Sequence, residues 1–337
     1  PIRMGKFLSI LLLFTISHSC FSQTQKQVSV KNALIISGGG TRASWGAGFA
    51  KGLAESGKEY EIIGGTSAGA LIMSSVALNQ FEELETLFNT ITNDDVYNVN
   101  PIKSNGKIKT LKSFWRTIFG YSSIGESKNL RKLIEKIFTK KDYQELIELQ
   151  KEIFCVVTNL NNSEASIKTN KNTTYTDLLD WIWASASVPV LMAPVEKDGQ
   201  IWADGGLIDN VPIDEAIIEG SKHIDIIALF AEEPAKWEYS NKLHDIVGRT
   251  SKIVISSTFR DNIIIGQLMS QLEEGTVLNI HYMSREDADF LSNLYSFDNT
   301  FLSEGFQRGY EAFKNETRVK RYYIMGSNSQ FVKLPNQ

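Results

Sequence analysis

The chain has 337 residues, of which 42% are hydrophobic and 22% charged, with a formal net charge of −4. These values are ordinary for a globular protein, so they exclude a collagen-like, coiled-coil or largely disordered chain. The sequence has no lysine- or arginine-rich run, so we expect no nucleic-acid partner, and its two cysteines are too few for a four-cysteine zinc site or a disulfide framework.

The first 22 residues have the pattern of a secretory signal peptide, with Met4 as the expected start. A short basic segment precedes an apolar run at residues 7–16, which is shorter than the roughly 20 residues of a membrane-spanning helix. Cleavage after Ser22 would leave small residues at the last and third-last positions. Lipidation of Cys20 is the alternative, but residues 17–19 lack the leucine of a lipoprotein box. We therefore expect export to a periplasm, an outer membrane or the extracellular space.

Strands alternate with helices in the segment that follows. Residues 33–36 and 61–65 are short apolar runs that end in glycine-rich turns, and helical patterns over 44–55 and 68–78 come after them. This alternation predicts βαβ units and a parallel sheet, which is the α/β fold class.

The rest of the chain continues this pattern without a repeat or a linker. We predict helices over 81–91, 130–138, 177–187 and 301–315, and strands over 153–157, 165–168, 201–203, 224–229 and 277–282. Cys155 lies in one of these strands and is expected to be a core residue. Residues 92–127 are aromatic and lysine-rich and receive no assignment. We expect one domain over residues 23–337, with its core motifs in 31–230 and its C-terminal part in 231–337.

A candidate nucleophile lies in the pentapeptide Gly65-Thr66-Ser67-Ala68-Gly69, which matches G-x-S-x-G. The motif follows a predicted strand and opens a predicted helix, as a nucleophile elbow requires. Glycine is needed at its two ends because a side chain there would collide with the neighbouring strand or helix. The alternative interpretation is a serine N-cap followed by small packing residues.

A second strand–turn–helix joint carries three consecutive glycines, Gly38, Gly39 and Gly40. Successive backbone N–H groups in such a turn form a concavity that binds an anion. The sequence lacks the G-K-[ST] of a P-loop, and Ala43 stands where a dinucleotide fingerprint would need glycine. We therefore favour the oxyanion of an acyl-transfer intermediate over a phosphate. The alternative is a tight turn that only requires positive φ.

A serine nucleophile needs a group that takes its proton. Apart from His18 in the signal peptide, the histidines are His223, His244 and His281, and each is predicted to be an ordinary, partly exposed histidine in a strand or helix. Asp204 is the stronger candidate because it ends a strand and is followed by two glycines, although Asp-Gly turns are common. Asp209 lies nearby but lacks the glycine pair.

Four separated blocks of the sequence resemble the patatin-like phospholipase family. They are Gly38-Gly39-Gly40-Thr41-Arg42, Gly65-Thr66-Ser67-Ala68-Gly69, Ala184-Ser185-Ala186-Ser187-Val188-Pro189, and Asp204-Gly205-Gly206 with Asn210 and Pro212. Their order and spacing agree with the family over residues 31–230. The resemblance implies a three-layer α/β/α sandwich with a mostly parallel central sheet.

The resemblance also implies a Ser–Asp dyad, with Ser67 as nucleophile and Asp204 as general base. The sequence departs from the family at Ala43, where glycine is frequent, and this small change slightly alters the expected loop. The other implied site residues are the oxyanion loop Gly38, Gly39, Gly40, Thr41 and Arg42, the elbow glycines Gly65 and Gly69, and the supporting pair Gly205 and Gly206.

These features lead us to expect an exported lipid acyl hydrolase that cleaves phospholipids or lysophospholipids without a metal or cofactor. The alternatives are a small-ester or thioester hydrolase with the same dyad, and a membrane- or protein-binding module without useful turnover. Residues 92–127 combine aromatic side chains with lysines, so they are predicted either to contact a membrane surface or to form a packed surface loop. The sequence leaves the oligomeric state open.

Overall fold

A mixed sheet of ten strands organises the protein. The computed structural model describes residues 31–103, 106–232, 243–273, 275–315, 319–323 and 332–333, so the predicted signal peptide lies outside the described residues. The strands are β1 (Lys31–Ile36), β2 (Ile62–Thr66), β3 (Glu152–Asn159), β4 (Glu164–Thr169), β5 (Val195–Lys197), β6 (Gln200–Asp204), β7 (Ser221–Ala228), β8 (Val277–Tyr282), β9 (Val319–Tyr323) and β10 (Val332–Lys333).

The strand order is β10-β9-β8-β7-β1-β2-β3-β6-β5, with β4 paired to β3. The block from β8 to β3 is parallel, whereas β4, β5, β6, β9 and β10 join it by antiparallel pairing. In the centre, Ile36 of β1 lies opposite both Gly65 of β2 and Ile227 of β7. The carboxyl ends of these three strands therefore meet at one edge, which is where open α/β sheets bind ligands.

Helices cover both faces of the sheet. Those in the described ranges are α1 (Ala43–Glu55), α2 (Ala68–Ala77), α3 (Phe81–Thr90), α4 (Asn93–Val96), α5 (Thr110–Ile118), α6 (Lys128–Ile137), α7 (Lys140–Glu148), α8 (Tyr175–Ser185), α9 (Ile213–Ile218), α10 (Leu243–Leu272), α11 (Arg285–Phe290) and α12 (Asn299–Lys314).

The side chains of β1 alternate between the two faces, as the period of two in a strand dictates. Leu34 and Ile36 pack into a large core with α1, α2, α3, α6, α8 and α12. Ala33 and Ile35 point the other way, into a smaller core formed with α9 and with Phe259 of α10. This arrangement confirms the predicted three-layer α/β/α sandwich with a mostly parallel sheet.

Most predicted elements are present with small shifts at their ends. The sequence did not predict α7, α9, α11, β5, β9 and β10, and it did not reveal α10 as one helix of 30 residues. The unassigned segment 92–127 contains α4 and α5. Cys155 is fully buried in β3, and this burial raises the pKa of its thiol to about 12, as suits a core residue.

Candidate active site

Ser67 lies in the sharp turn between β2 and α2 with φ 53° and ψ −118°, a strained conformation for a residue with a side chain. A Cβ atom on Gly65 would lie 2.5 Å from the carbonyl carbon of Gly69, and one on Gly69 would overlap the carbonyl oxygen of Ile36. Both glycines are therefore required for α2 to approach β1 and β2 so closely. The turn holds the Ser67 side chain at the carboxyl edge of the sheet.

Asp204 ends β6, which pairs with β3 and brings the carboxylate to the same edge. The Ser67 hydroxyl donates a hydrogen bond to Asp204 Oδ2 at 2.6 Å, and the Gly206 N–H donates to Oδ1 at 2.7 Å. A side chain on Gly205 would overlap the carbonyl oxygen of Val156, so this glycine permits the close turn. The structure thus brings together the serine and the aspartate that the sequence singled out.

Burial raises the pKa of Asp204 to about 6, and the hydrogen bonds from Ser67 and Gly206 offset only part of this effect. The carboxylate is therefore ionised at neutral pH but more basic than an exposed aspartate. Such a group can accept the proton of a hydroxyl to which it is already hydrogen-bonded.

The other candidate bases lie elsewhere. His281 is buried and not partly exposed as expected, and its Nε2 is 2.8 Å from the buried Asp225 Oδ1, which also accepts a hydrogen bond from the ammonium of the exposed Lys58. Burial alone would raise the pKa of Asp225, but the hydrogen bonds and positive charges of His281 and Lys58 lower it well below its usual range. His223 is exposed at the start of β7, beside the start of β1 and so at the opposite edge from Ser67. His244 lies in α10, and its side chain is outside the described part of the structure.

The hydrogen bonds of Asp209 are made to residues other than Ser67. Its Oδ1 accepts the N–H of Val211 at 3.2 Å, and its backbone oxygen accepts the Thr66 hydroxyl at 3.1 Å. Burial raises the pKa of its carboxyl to about 7. Asp209 therefore supports the turn after β6, whereas Asp204 contacts the serine.

The backbone N–H groups of the glycine-rich loop are of two kinds, those that donate a hydrogen bond within the described part of the chain and those that do not. Gly38 donates to the Asn210 carbonyl at 3.2 Å, Thr41 to the Leu294 carbonyl at 3.0 Å, and the Arg42 backbone to the Gly39 carbonyl at 3.3 Å. Among the hydrogen bonds of the described residues, none uses the N–H of Gly39 or Gly40. Both glycines line the pocket at Ser67. Among the residues of the oxyanion loop that the family resemblance implies, Gly39 and Gly40 therefore remain as the candidate donors, whereas Gly38, Thr41 and Arg42 use their N–H groups elsewhere.

The Arg42 side chain does not line the pocket at Ser67; it holds the glycine loop by binding backbone carbonyls of other segments. Its guanidinium donates to the backbone oxygens of Ala288, Leu229 and Leu291 at 2.9, 3.1 and 3.3 Å. Burial lowers its pKa to about 10, so it remains charged at neutral pH. Because two of these carbonyls, those of Ala288 and Leu291, belong to the C-terminal part 231–337, Arg42 joins the glycine loop to residues beyond the core motifs.

Two further serines hold the backbone at Ser67 and Asp204. The sequence indicated them only as members of the block 184–189. Ser185 Oγ accepts the backbone N–H of Ser67 at 3.0 Å, and the Ser187 carbonyl accepts the N–H of Asp204 at 3.0 Å. The alternating serines of the block 184–189 were the only signal in the sequence. One short segment thus fixes both members of the dyad from the same side.

A narrow pocket of about 50 Å³ opens at Ser67. Asn210, whose side chain is buried, forms part of its wall beside Gly38 and Gly206. The sequence signal for Asn210 was its place in the Asp204 block. Other parts of the wall are apolar and come from Val188, Pro189, Leu207 and Leu294. The pocket therefore places the Ser67 hydroxyl, the Asp204 carboxylate and the backbone of Gly39 and Gly40 beside apolar side chains, an arrangement with the chemical groups that acyl transfer needs.

A family model described as "Patatin-like phospholipase" matches residues 34–217. The chain belongs to this family. The matched range contains the glycine loop, the elbow at Ser67 and the Asp204 turn.

Several curated relatives of this patatin-like chain are named as lysophospholipases. Lysophospholipase NTE1 from Meyerozyma guilliermondii is 28% identical over 195 residues, which cover 57% of this chain and 12% of that protein. Patatin-like phospholipase domain-containing protein 7 from Mus musculus is 29% identical over 212 residues, which cover 61% of this chain and 14% of that protein. The match thus spans less than a sixth of these relatives.

Among solved structures, VipD from Legionella pneumophila matches with 16% identity and a TM-score of 0.38, covering 87% of this chain and 68% of that one. This likeness is too low to carry an argument about the patatin-like site. Within the described residues, no group of three or more histidine, cysteine or acidic side chains could hold a metal ion. No described helix has both the length and the apolar character needed to cross a membrane.

Proposed function

We propose that this protein is an exported lipid acyl hydrolase of the phospholipase A or lysophospholipase type that works through a Ser67–Asp204 dyad. The observation that carries the proposal is the 2.6 Å hydrogen bond between Ser67 Oγ and Asp204 Oδ2, beside the N–H groups of Gly39 and Gly40. Membership of the patatin-like family and the names of its relatives support a lipid ester as the substrate. Export rests on the pattern of residues 1–22 alone.

In the first half of the proposed reaction, Asp204 takes the proton of the Ser67 hydroxyl as Oγ attacks the ester carbonyl. The carbonyl oxygen gains negative charge, and the N–H groups of Gly39 and Gly40 stabilise it; each such donor typically contributes about 3 kcal/mol. The carbon–oxygen bond of the ester then breaks. Asp204 returns the proton to the departing alcohol, leaving the acyl group on Ser67.

In the second half, a water molecule replaces the alcohol. Asp204 takes one of its protons while the water oxygen attacks the acyl carbon, and the same donors hold the oxyanion again. When the bond to Ser67 breaks, Asp204 gives its proton back to Oγ. The fatty acid leaves and the dyad returns to its starting state.

The proposal is tested with purified wild type and Ser67→Ala, assayed on p-nitrophenyl butyrate and on lysophosphatidylcholine, with a fluorophosphonate probe as a label for the nucleophile. We expect labelling at Ser67 and a loss of roughly 10³-fold or more in kcat for the variant. Hydrolysis that survives in Ser67→Ala would contradict the dyad. Turnover of the soluble ester without any lipid hydrolysis would favour a small-ester or thioester hydrolase, and the absence of both label and turnover would favour a binding module.

The pH dependence of kcat/KM follows from the raised pKa of Asp204. The dyad needs the ionised carboxylate, so we expect kcat/KM to fall about tenfold per pH unit below about pH 6 and to level off above it. The measurement is a pH–rate profile on p-nitrophenyl butyrate. His223→Ala serves as the control, because an exposed histidine at the far edge of the sheet should leave the acidic limb unchanged. A limb near pH 4 would contradict the raised pKa of the carboxyl that acts as base.

We also propose that α5 and the turn after it contact a lipid surface. Five apolar side chains at helical spacing face outward on one stripe, each about half exposed or more: Leu111, Phe114, Trp115, Ile118 and Phe119. A contiguous exposed stripe of this kind is unusual on a soluble protein and typical of an interaction site.

The segment that carries this apolar stripe, residues 92–127, also contacts residues next to the pocket at Ser67. The Ile124 N–H donates to the carbonyl of Val190 at 2.9 Å, and the preceding residues Val188 and Pro189 line the wall at Ser67. Arg116 fixes the turn by bridging to Glu126 at 2.8 Å and by covering the ring of Tyr121. A lipid surface held by the stripe would therefore lie close to the pocket.

Replacing Phe114 and Phe119 together by serine tests this contact. Each buried phenylalanine contributes about 2 kcal/mol at an apolar surface, so we expect vesicle binding and vesicle hydrolysis to fall roughly 10³-fold for the double variant. Hydrolysis of p-nitrophenyl butyrate should change less than about twofold, because neither ring lines the pocket. Leu149→Ser, at an exposed leucine after α7, is the matched control. Equal losses on vesicles and on the soluble ester would rule out a role in surface contact.

A further inference from the structure

A second, larger cavity of about 650 Å³ adjoins the pocket at Ser67. Phe230, Ile255 and Leu294 line both cavities, so the two spaces meet across these apolar side chains. Apart from Arg42, every residue of its wall lies outside the range 34–217 that matches the family model. The cavity is therefore built almost wholly from the part of the chain that the family model does not match.

The size of the two spaces decides what each can hold. The pocket at Ser67, at about 50 Å³, has room for the reacting ester group but not for the rest of a lipid. The neighbouring cavity lies within the range of about 300–1,000 Å³ that is typical of small-molecule sites. A lipid ester bound at Ser67 thus has one large adjoining space available to it.

One face of α10 forms the long wall of this cavity. Six residues that line it recur every three or four positions, which places them on one side of the helix: Arg249, Ile253, Ser256, Arg260, Ile263 and Gln267. Ile255, Phe259 and Ile264 widen this face. Over this span the helix rises about 27 Å. A single acyl chain in a bilayer leaflet extends about 15 Å, half the hydrocarbon thickness, so the wall is long enough for one chain.

The chemistry of the wall favours a hydrocarbon over a cationic headgroup. Phe259 and Ile263 are buried and form its apolar base, and Ile255 continues this surface to the junction with the pocket. The charged residues of the wall are four arginines and two acids: Arg42, Arg249, Arg260, Arg285, Glu232 and Asp289. This net positive lining disfavours a choline group, and the aliphatic stems of the arginines add to the apolar surface.

We propose that this cavity binds the acyl chain of the lipid ester whose carbonyl is held at Ser67. This inference rests on the proposed hydrolase function and specifies its substrate class as esters with one long acyl chain. The chain passes between Phe230, Ile255 and Leu294 and lies along α10, while the alcohol part of the ester remains at the mouth of the pocket. Chain-length preference is thus set by the C-terminal third of the protein.

Adjacent serines of α10 provide a matched pair of variants. Ser256 lines the cavity next to the junction, whereas Ser257 does not line it, and both are half-buried. Ser256→Trp fills the cavity and should lower the ratio of kcat/KM for p-nitrophenyl laurate to that for the butyrate by roughly tenfold or more, because the methylene contacts are lost. Ser257→Trp should leave this ratio within about twofold. An unchanged ratio in Ser256→Trp would overturn the proposal.

A binding measurement separates this inference from the proposed reaction. Dodecanoate below its micellar concentration is titrated into Ser67→Ala and into Ser67→Ala with Ser256→Trp, using calorimetry. We expect binding to the first protein and a loss of roughly tenfold or more in affinity for the second. If wild type hydrolyses no ester, the proposed function fails, yet this titration still tests the cavity. If Arg260→Gln impairs lysophospholipid hydrolysis while Ser256→Trp leaves the chain-length ratio unchanged, the cavity holds the phosphate headgroup and the acyl-chain proposal is wrong.

Discussion

Replacing Asp204 with asparagine should lower kcat for ester hydrolysis by roughly 10³–10⁴-fold. Asparagine has nearly the same shape and can keep the Gly206 N–H and the Ser67 hydroxyl as neighbours, but it cannot accept a proton. The measurement is single-turnover hydrolysis of p-nitrophenyl butyrate, with Asp209→Asn as the control. Asp209 supports the same turn without touching Ser67, so its variant should retain far more activity. A similar loss in both variants would mean that the turn, and not the base, matters.

The same change at Asp204 should stabilise the protein above about pH 6. Burial raises the pKa of Asp204 from 3.8 to about 6, so the folded state binds this proton more tightly than the unfolded state. Stability therefore falls as pH rises from about 4 through 6 and stays lower at neutral pH, where the buried carboxylate is charged. The asparagine side chain carries no such charge. We expect the Tm of Asp204→Asn to exceed that of wild type by a few degrees at pH 8 and to show no gain at pH 4. A lower Tm at pH 8 would contradict this account.

Substituting Gly69 with alanine should prevent stable folding. Its Cβ atom would overlap the carbonyl oxygen of Ile36 in the central strand, and neither α2 nor β1 can shift without disturbing the core on both sides. We expect a loss of about 4 kcal/mol or more in the free energy of unfolding, measured with urea.

Gly57→Ala is the control for this substitution. Gly57 follows α1 with φ +84° and has open space where a Cβ would stand, so its cost should be about 1 kcal/mol and purely conformational. Equal unfolding midpoints for the two variants would show that the contact with Ile36 is not limiting.

The elements that carry the candidate site could be predicted because their signals are local. A strand, a sharp glycine turn and a helix follow one another within a few residues at both Gly38 and Ser67, and Asp204 stands before its own glycine pair. The family resemblance then joined these blocks into one site. The sequence does not show which distant residues fix these blocks in position. Ser185, for example, accepts the backbone N–H of Ser67, which is 118 residues away in the chain. Such contacts leave no periodic pattern in the chain.

Helix α10 shows a different limit of sequence reasoning. Its middle is rich in isoleucine, valine, serine and threonine, which have modest helix propensity and also suit strands. Packing of Phe259 and Ile263 against the sheet decides the outcome, because tertiary burial outweighs local preference. The segment 92–127 was hard to assign for a related reason, since the apolar stripe of α5 has no partner in the core.

Because Arg42 supports the glycine loop through residues late in the chain, this support forms only after those residues have been synthesised. The loop is synthesised early, but the carbonyl of Ala288 that receives its guanidinium comes 246 residues later, and the Asn293 carbonyl that receives the Thr41 hydroxyl comes 252 residues after that threonine. The segment that matches the family model contains the serine and the aspartate yet ends before these partners. A growing chain, or one cut before Arg285, therefore lacks these two contacts to its glycine-rich loop, and the proposed active site is fully supported only when the C-terminal part is in place.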